Sequence, residues 1–263
     1  MITLYFSGTG NTRYIAELFS QKMAVSCYSI EDKVSFPLLI ESHDTIVFSY
    51  PIYGSRVPLI MRRFVTTHLS MLKGKRTVVL VTQMAFSGDG ARALCDLFPA
   101  GHIQVVYAEH FKMPNNICNI PFFQQTSDKG ISDCLSSAER KMDIVCRDLK
   151  AGIVKKRGFS AGSRLLGKIQ GIPWQKDSRS SLAVEGSLEY RALQSIKISS
   201  DCNLCGICVD DCPMQNLLIE NGAVGHLGNC TICYRCINNC PQKAITILFH
   251  NKPKWQYRGI VAR

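Results

Sequence analysis

Eight of the thirteen cysteines in this 263-residue chain fall into two runs of identical spacing. The first reads Cys202-x2-Cys205-x2-Cys208-x3-Cys212-Pro213 and the second Cys230-x2-Cys233-x2-Cys236-x3-Cys240-Pro241, 28 residues later. Three sulfurs stepped at i, i+3 and i+6, with a fourth just ahead of a proline, restrict the chain there to tight metal-wrapping loops. A structural zinc site instead presents two Cys-x2-Cys pairs separated by a longer stretch. Disulfides need an oxidising compartment, and the start Met1-Ile2-Thr3-Leu4-Tyr5-Phe6 lacks the basic residues of a signal peptide. No apolar run nears the roughly 18 residues of a membrane span; Val78-Val79-Leu80-Val81 is typical of the longest. The expectation is a cytoplasmic chain whose clustered cysteines serve metal or redox chemistry. Cys27, Cys95, Cys118, Cys134 and Cys146 are scattered and read as buried apolar residues. Cys118 stands apart in a long 111–123 loop, and His226 reads as a packing residue rather than a ligand.

Residues 1–150 alternate between two periods. Ile2–Phe6, Thr45–Phe48 and Thr77–Val81 are short, β-branched, nearly all-apolar runs, as in strands buried on both faces of a parallel sheet. Another strand is expected over Ile103–Tyr107. Helical spacing follows over Thr12–Met23, Val57–Leu72, Ala91–Phe98 and Ile131–Leu149. Strands alternating with helices imply a doubly wound sheet, which binds ligands beyond the carboxyl ends of its strands. The first such end carries Ser7-Gly8-Thr9-Gly10-Asn11-Thr12. Its two glycines let backbone amides approach an anion, the helix start adds unpaired amides, and three hydroxyls can donate to phosphate. A Walker loop would need a lysine here, and a dinucleotide fingerprint would need a third glycine where Arg13 stands.

An uncharged, hydroxyl-rich cradle of this kind resembles the phosphate loop of flavodoxins, which bind FMN, and that resemblance covers roughly residues 1–150. It implies an α/β fold with a parallel sheet of order 2-1-3-4-5 and a phosphate held by Ser7, Thr9, Gly10, Asn11 and Thr12. It also implies that the loops after the third and fourth strands grip the flavin ring. Those loops offer Tyr50, Pro51, Ile52, Tyr53 and Gly54 on one side and Phe86, Ser87 and Gly88 on the other, with Tyr50, Tyr53 and Phe86 as stacking candidates. The cysteine runs resemble low-potential two-cluster bacterial ferredoxins over Ile196–Leu248, a small α+β domain in which each fourth cysteine serves the other [4Fe–4S] cluster. On that resemblance Cys202, Cys205, Cys208 and Cys240 hold one cluster, and Cys230, Cys233, Cys236 and Cys212 the other. Together the two halves resemble the flavodoxin–ferredoxin fusion proteins of anaerobic bacteria and archaea (the EFR1-type ferredoxins).

The organisation expected is therefore a flavin domain over 1–150, a basic and partly helical connector over 151–195, a cluster domain over 196–249 and a basic tail over 250–263. Helix is expected in the connector over Arg164–Gln170 and Leu182–Ile196. The net charge of +11 is concentrated in the middle, where residues 151–200 carry nine basic and three acidic side chains. Two oxidised clusters and an FMN phosphate would bring the total to about +5. This surplus suits an acidic redox partner, such as a ferredoxin-like donor or an acceptor reductase. No nucleic-acid-binding motif accompanies it. The function expected is a relay between one- and two-electron partners, with no catalytic residue of its own. The alternative is an FMN-dependent reductase of a small molecule, fed through its own clusters, with the 111–123 loop lining its pocket. Whether the chain is a monomer or a homodimer is left open.

Overall fold

A computed structural model describes residues 1–260 except Ser87, Lys176, Ser178 and Arg179. Four strands are almost wholly buried: β1 (Ile2–Tyr5), β3 (Thr45–Pro51), β4 (Arg76–Gln83) and β5 (Gln104–Lys112). Their apolar residues must face protein on both sides, so helices cover both faces. On one face α1 (Asn11–Met23) and α4 (Asp128–Lys150) set Ile15, Phe19, Met142 and Val145 against Val47, Val78 and Leu80. On the other, α2 (Phe36–Glu41) and α3 (Leu59–Thr67) set Ile40, Met61 and Val65 against Ile46, Phe48, Val79 and Val81. With β2 (Cys27–Ser29) and β6 (Lys155–Lys156) at its edges, the sheet runs β2-β1-β3-β4-β5-β6, parallel throughout. The expected order 2-1-3-4-5 is present, and the chain reverses direction across the sheet between β1 and β3.

Several elements depart from the sequence pattern for identifiable reasons. The sixth strand is two exposed lysines inside the expected connector, with no apolar alternation to mark it. β5 runs on to Lys112 because Glu109 and His110, which read as loop residues, are buried in the sheet with Lys141, Lys155 and Arg157 around Glu109. Val57–Leu72 breaks at His68, whose Nδ1 lies 2.8 Å from the Phe64 carbonyl, leaving α3 and a single 3-10 turn at Ser70–Leu72. Ala91–Phe98 tightens into a 3-10 helix over Arg92–Leu97, with the Arg92 guanidinium tied to Asp89 and Asp96. In the connector, α5 spans Ala161–Trp174, whereas α6 covers only Leu188–Gln194, started by the Ser187 hydroxyl accepting from the Tyr190 amide.

The cysteine-rich part has a core of its own, built from Leu193, Leu217, Ile232, Ile237, Ile245 and Ile247. Two ribbons frame it: β7 (Lys197–Ile198) pairs antiparallel with β10 (Ile245–Thr246), and β8 (Leu217–Glu220) with β9 (Ala223–His226). Short helices α7 (Ile207–Asp210) and α8 (Arg235–Asn239) follow the second cysteine of each run. The 28-residue repeat is visible in the backbone itself. Leu204 and Ile232, Gly206 and Tyr234, Gln215 and Lys243 are pairs of equivalent residues, and all six are left-handed. For a bulky residue that conformation costs about 1–2 kcal/mol relative to the right-handed one.

This part is bolted to the sheet. Arg62 of α3 and Glu189 of α6, both buried, form a two-pronged ion pair at 2.9 Å. The Ile60 amide donates to Thr231, the Asn238 side-chain amide to the Asn116 carbonyl, and that of Asn119 to the Ile247 carbonyl. The tail returns to the first loop, where the Tyr257 hydroxyl donates to Asn11 Oδ1 at 2.6 Å.

Candidate functional site

At the carboxyl edge of the sheet, beside the β1/β3 reversal, lies a large cavity. Its floor is the loop between β1 and α1, represented by Ser7, Gly8, Thr9, Asn11 and Thr12. That loop is fixed from several sides. The Gly10 amide donates to Ser7 Oγ at 3.1 Å, Thr12 Oγ1 lies 2.7 Å from Thr82 Oγ1, and Asn116 donates to Thr9 Oγ1 at 3.0 Å. Gly10, with φ of 98°, turns the chain into α1. A side chain at Gly8 would collide with the Cys233 carbonyl, so the first loop and the second cysteine run are in backbone contact. Arg235 locks that contact, with Nε on the Gly8 carbonyl at 3.0 Å and Nη2 on the Ser7 carbonyl at 2.8 Å.

The structure brings Pro51, Ile52, Tyr53 and Gly54 to this cavity together with the first loop. Other expected residues lie elsewhere. Tyr50 is fully buried in the core and donates to the Gly90 carbonyl. Phe86 is 57% exposed and off the cavity. Gly88 packs against Gly167 of α5, and Gly10 faces the tail at Gly259. Ser87 lies outside the described residues. Beside Tyr53, the aromatic walls come from Phe123, at the end of the 111–123 loop, and from Trp174 and Tyr234, two residues that sequence reasoning passed over. For Trp174 there was a signal: Gly167 and Gly171, four apart on one helix face, where added side chains would strike Asp89 and Arg56. Those glycines let α5 lie flat on the loops after β3 and β4, and its last residue reaches Gly54. The 111–123 loop does two things, since Pro114, Asn116 and Phe123 line the cavity while Asn119 grips the cysteine-rich part. Cys118 turns away into that part's core, where burial pushes its thiol up to about 11.

The eight clustered cysteines line two smaller cavities. One carries Cys202, Cys205, Cys208 and Cys240; the other carries Cys212, Cys230, Cys233 and Cys236. Each thus takes three cysteines from one run and the fourth from the other. Among the described residues, no three His, Cys, Asp or Glu side chains converge as they would around a single metal ion. Backbone amides already point at three sulfurs: Asn216 at Cys212, Ile232 at Cys230 and Ala244 at Cys240, at 3.2 to 3.3 Å. Burial pushes the Cys208 and Cys233 thiols up to about 11, and those of Cys230 and Cys236 up as well. These sulfurs are therefore neutral thiols near pH 7 unless a cation takes their protons' place. Cys205 alone among the eight is exposed. Ile232 and Tyr234 line both the second cysteine cavity and the large one, so those two share a wall.

A family model described as a flavodoxin domain matches residues 2–116, and no curated protein matches the chain. Among solved structures, a candidate flavoprotein from Bacteroides eggerthii is similar at 21% identity, covering 52% of this chain and 96% of its own, with a TM-score of 0.35. A flavodoxin from the domain Archaea matches at 16% identity, covering 55% and 96%, with a TM-score of 0.34. Flavodoxin 2 from Bacillus cereus matches at 14%, covering 56% and 97%, also with a TM-score of 0.34. The chain carries a flavodoxin-like domain, and that fold supports FMN binding and redox work. No helix among the described residues is long and apolar enough to cross a membrane.

Proposed function

We propose that the chain is an electron-transfer iron–sulfur flavoprotein that relays electrons between two [4Fe–4S] clusters and FMN. The observation that carries this reading is the partition of the cysteines. Two cavities receive crossed sets of four, and one of them shares a wall with the cavity over the phosphate-type loop. A cubane binds each thiolate through a different iron, so its ligands surround a volume rather than meet at a point. That requirement fits four cysteines around a cavity better than a zinc ion would.

FMN exchanges one or two electrons and each cluster exchanges one, so the pair can couple partners of either kind. The residues bind, space and shield. Ser7, Thr9 and Thr12 and the amides of the first turn of α1 would hold the phosphate, with Pro51–Gly54 against the ring. Cys212, Cys230, Cys233 and Cys236 would hold the cluster beside the flavin, and Cys202, Cys205, Cys208 and Cys240 the one nearer solvent. Amides aimed at the sulfurs and the apolar shell of Ile232, Ile237 and Ile245 would set the potentials. In this reading the modules of the molecule are 1–150, 151–195, 196–249 and a tail from 250, with an acidic redox protein as partner.

Stopped-flow reduction by a one-electron donor tests the relay. Flavin reduction through the protein's own clusters proceeds at a rate independent of protein concentration once the clusters are reduced. A rate that climbs with protein concentration would mean electrons pass between molecules, against the relay. A second reading, reductase action on a small molecule, has one observation in its favour. A cleft beside α4 shares Met84, Met113, Pro114 and Phe123 with the flavin cavity. Screening small oxidants for turnover with the reduced protein separates it from a pure carrier.

A further inference from the structure

We infer that Tyr234, inside the second cysteine run, donates a hydrogen bond to the flavin, so that the cluster module completes the flavin site. The inference rests on the FMN reading above. It starts from the internal repeat. Tyr234 occupies the place that Gly206 holds in the first run, and both are left-handed, at φ of 63° and 80°. Nothing lies within 4 Å of the position a side chain would take at Gly206. Glycine is the inexpensive residue for this backbone. The second run instead carries one of the bulkiest side chains in a conformation that disfavours it, and strain of that kind gathers at functional sites.

What that side chain does is constrained by its surroundings. Tyr234 is 6% exposed and lines both the large cavity and the second cysteine cavity. Its hydroxyl is buried with no hydrogen-bond partner. Tyr53, from the loop after β3, lines the same cavity and also buries a hydroxyl with no partner. Buried hydroxyls are normally satisfied, and leaving one unsatisfied is destabilising. Two orphan phenols from two different parts of the chain, lining one cavity, call for a ligand with acceptors at its edge. The oxygen- and nitrogen-edged flavin ring has that chemistry. The chain also joins Tyr234 directly to Cys233, so one residue touches the flavin while its neighbour holds the cluster.

The test is FMN binding and flavin potential in the full, cluster-loaded protein, comparing wild type with Tyr234→Phe and with Tyr28→Phe as a control away from the cavity. Tyr234→Phe keeps the ring and removes only the donor. The expected result is a roughly three- to ten-fold weaker FMN Kd and a shifted flavin reduction potential. Iron content should equal that of wild type, and Tyr28→Phe should be unchanged in all three. A packing role alone would leave the potential where it was. Equal Kd and equal potential in Tyr234→Phe and wild type would overturn the inference while leaving the FMN reading intact. Loss of iron along with FMN would place the hydroxyl in support of the cluster and overturn it too. Failure of the wild type to bind FMN would overturn the flavin reading and the inference with it.

Discussion

Replacing Arg235 with methionine keeps the aliphatic stem and removes a guanidinium that uses all its edges. Nε and Nη2 bond the Gly8 and Ser7 carbonyls, Nη1 bonds the Asp211 carbonyl at 3.0 Å, and both Nη atoms bond Glu31 at 2.7 and 2.8 Å. The ion pair with Glu31 is one-fifth to one-quarter exposed and contributes at most about 1 kcal/mol after screening. The three carbonyl bonds, each worth about 1 kcal/mol, make the larger part, so the loss should be about 3 to 4 kcal/mol. In urea, at a slope of about 3 kcal/mol per molar, the midpoint should fall by about 1 M. Tryptophan fluorescence follows it, since Trp174 sits on the flavin-side loops and Trp255 in the tail. Arg235→Lys should recover little, because a point charge cannot span carbonyls from two loops. FMN affinity should drop in both variants as the phosphate-type loop loosens. A stability loss below about 1 kcal/mol would refute the view that this residue fastens the two halves together.

Three further outcomes follow from the same contacts. Thr9→Ala and Thr12→Ala should each weaken FMN binding about ten-fold by removing a donor to an anion, with iron content unchanged; fluorescence titration and iron analysis read both. Gly167→Ala would drive a methyl group into the buried Asp89 carboxylate and should destabilise by about 1–3 kcal/mol. Gly162→Ala, in open space on the same helix, should be neutral or stabilising by up to about 1 kcal/mol. His110, which accepts from the Ala91 amide, has its pKa lowered to about 4, chiefly by burial and then by Arg157 and Lys141. Since the folded value lies below the unfolded one, its contribution is complete above pH 6.5 and lost as pH falls toward 4, about 3 kcal/mol in all. Urea midpoints that stay flat between pH 6.5 and pH 4, or that stay equally pH-dependent in His110→Gln, would refute this assignment.

What the chain reveals before folding depends on whether a pattern is local. The central strands announce themselves because Thr45–Phe48 and Thr77–Val81 are apolar on both faces, and the first loop because two glycines and three hydroxyls stand together. The spacing of the cysteines is likewise local, whereas each cysteine cavity takes its fourth cysteine from the other run. The aromatic walls of the large cavity are not local. Tyr50 and Tyr53 are three residues apart, yet one enters the core and the other the cavity, because the strand pleat and the Tyr53–Arg56 bridge decide their directions. Phe86 was plausible by chemistry but ends exposed, since α5 takes up the space its loop would have faced. Trp174 and Tyr234 reach the cavity through contacts more than 100 residues away in sequence, which no periodicity encodes. The polar Glu109 and His110 hid the end of β5 because their partners, Lys141 and Arg157, come from α4 and from the turn after β6.

The central claim is that one chain holds a flavin and two clusters in contact. Metal, acid-labile sulfide and flavin analysis of anaerobically purified protein tests it most directly. The account predicts about eight irons, about eight sulfides and one FMN per chain, with iron halved in Cys202→Ala or Cys230→Ala. Zinc in place of iron, or stoichiometric iron with no flavin and no flavin uptake, would contradict it.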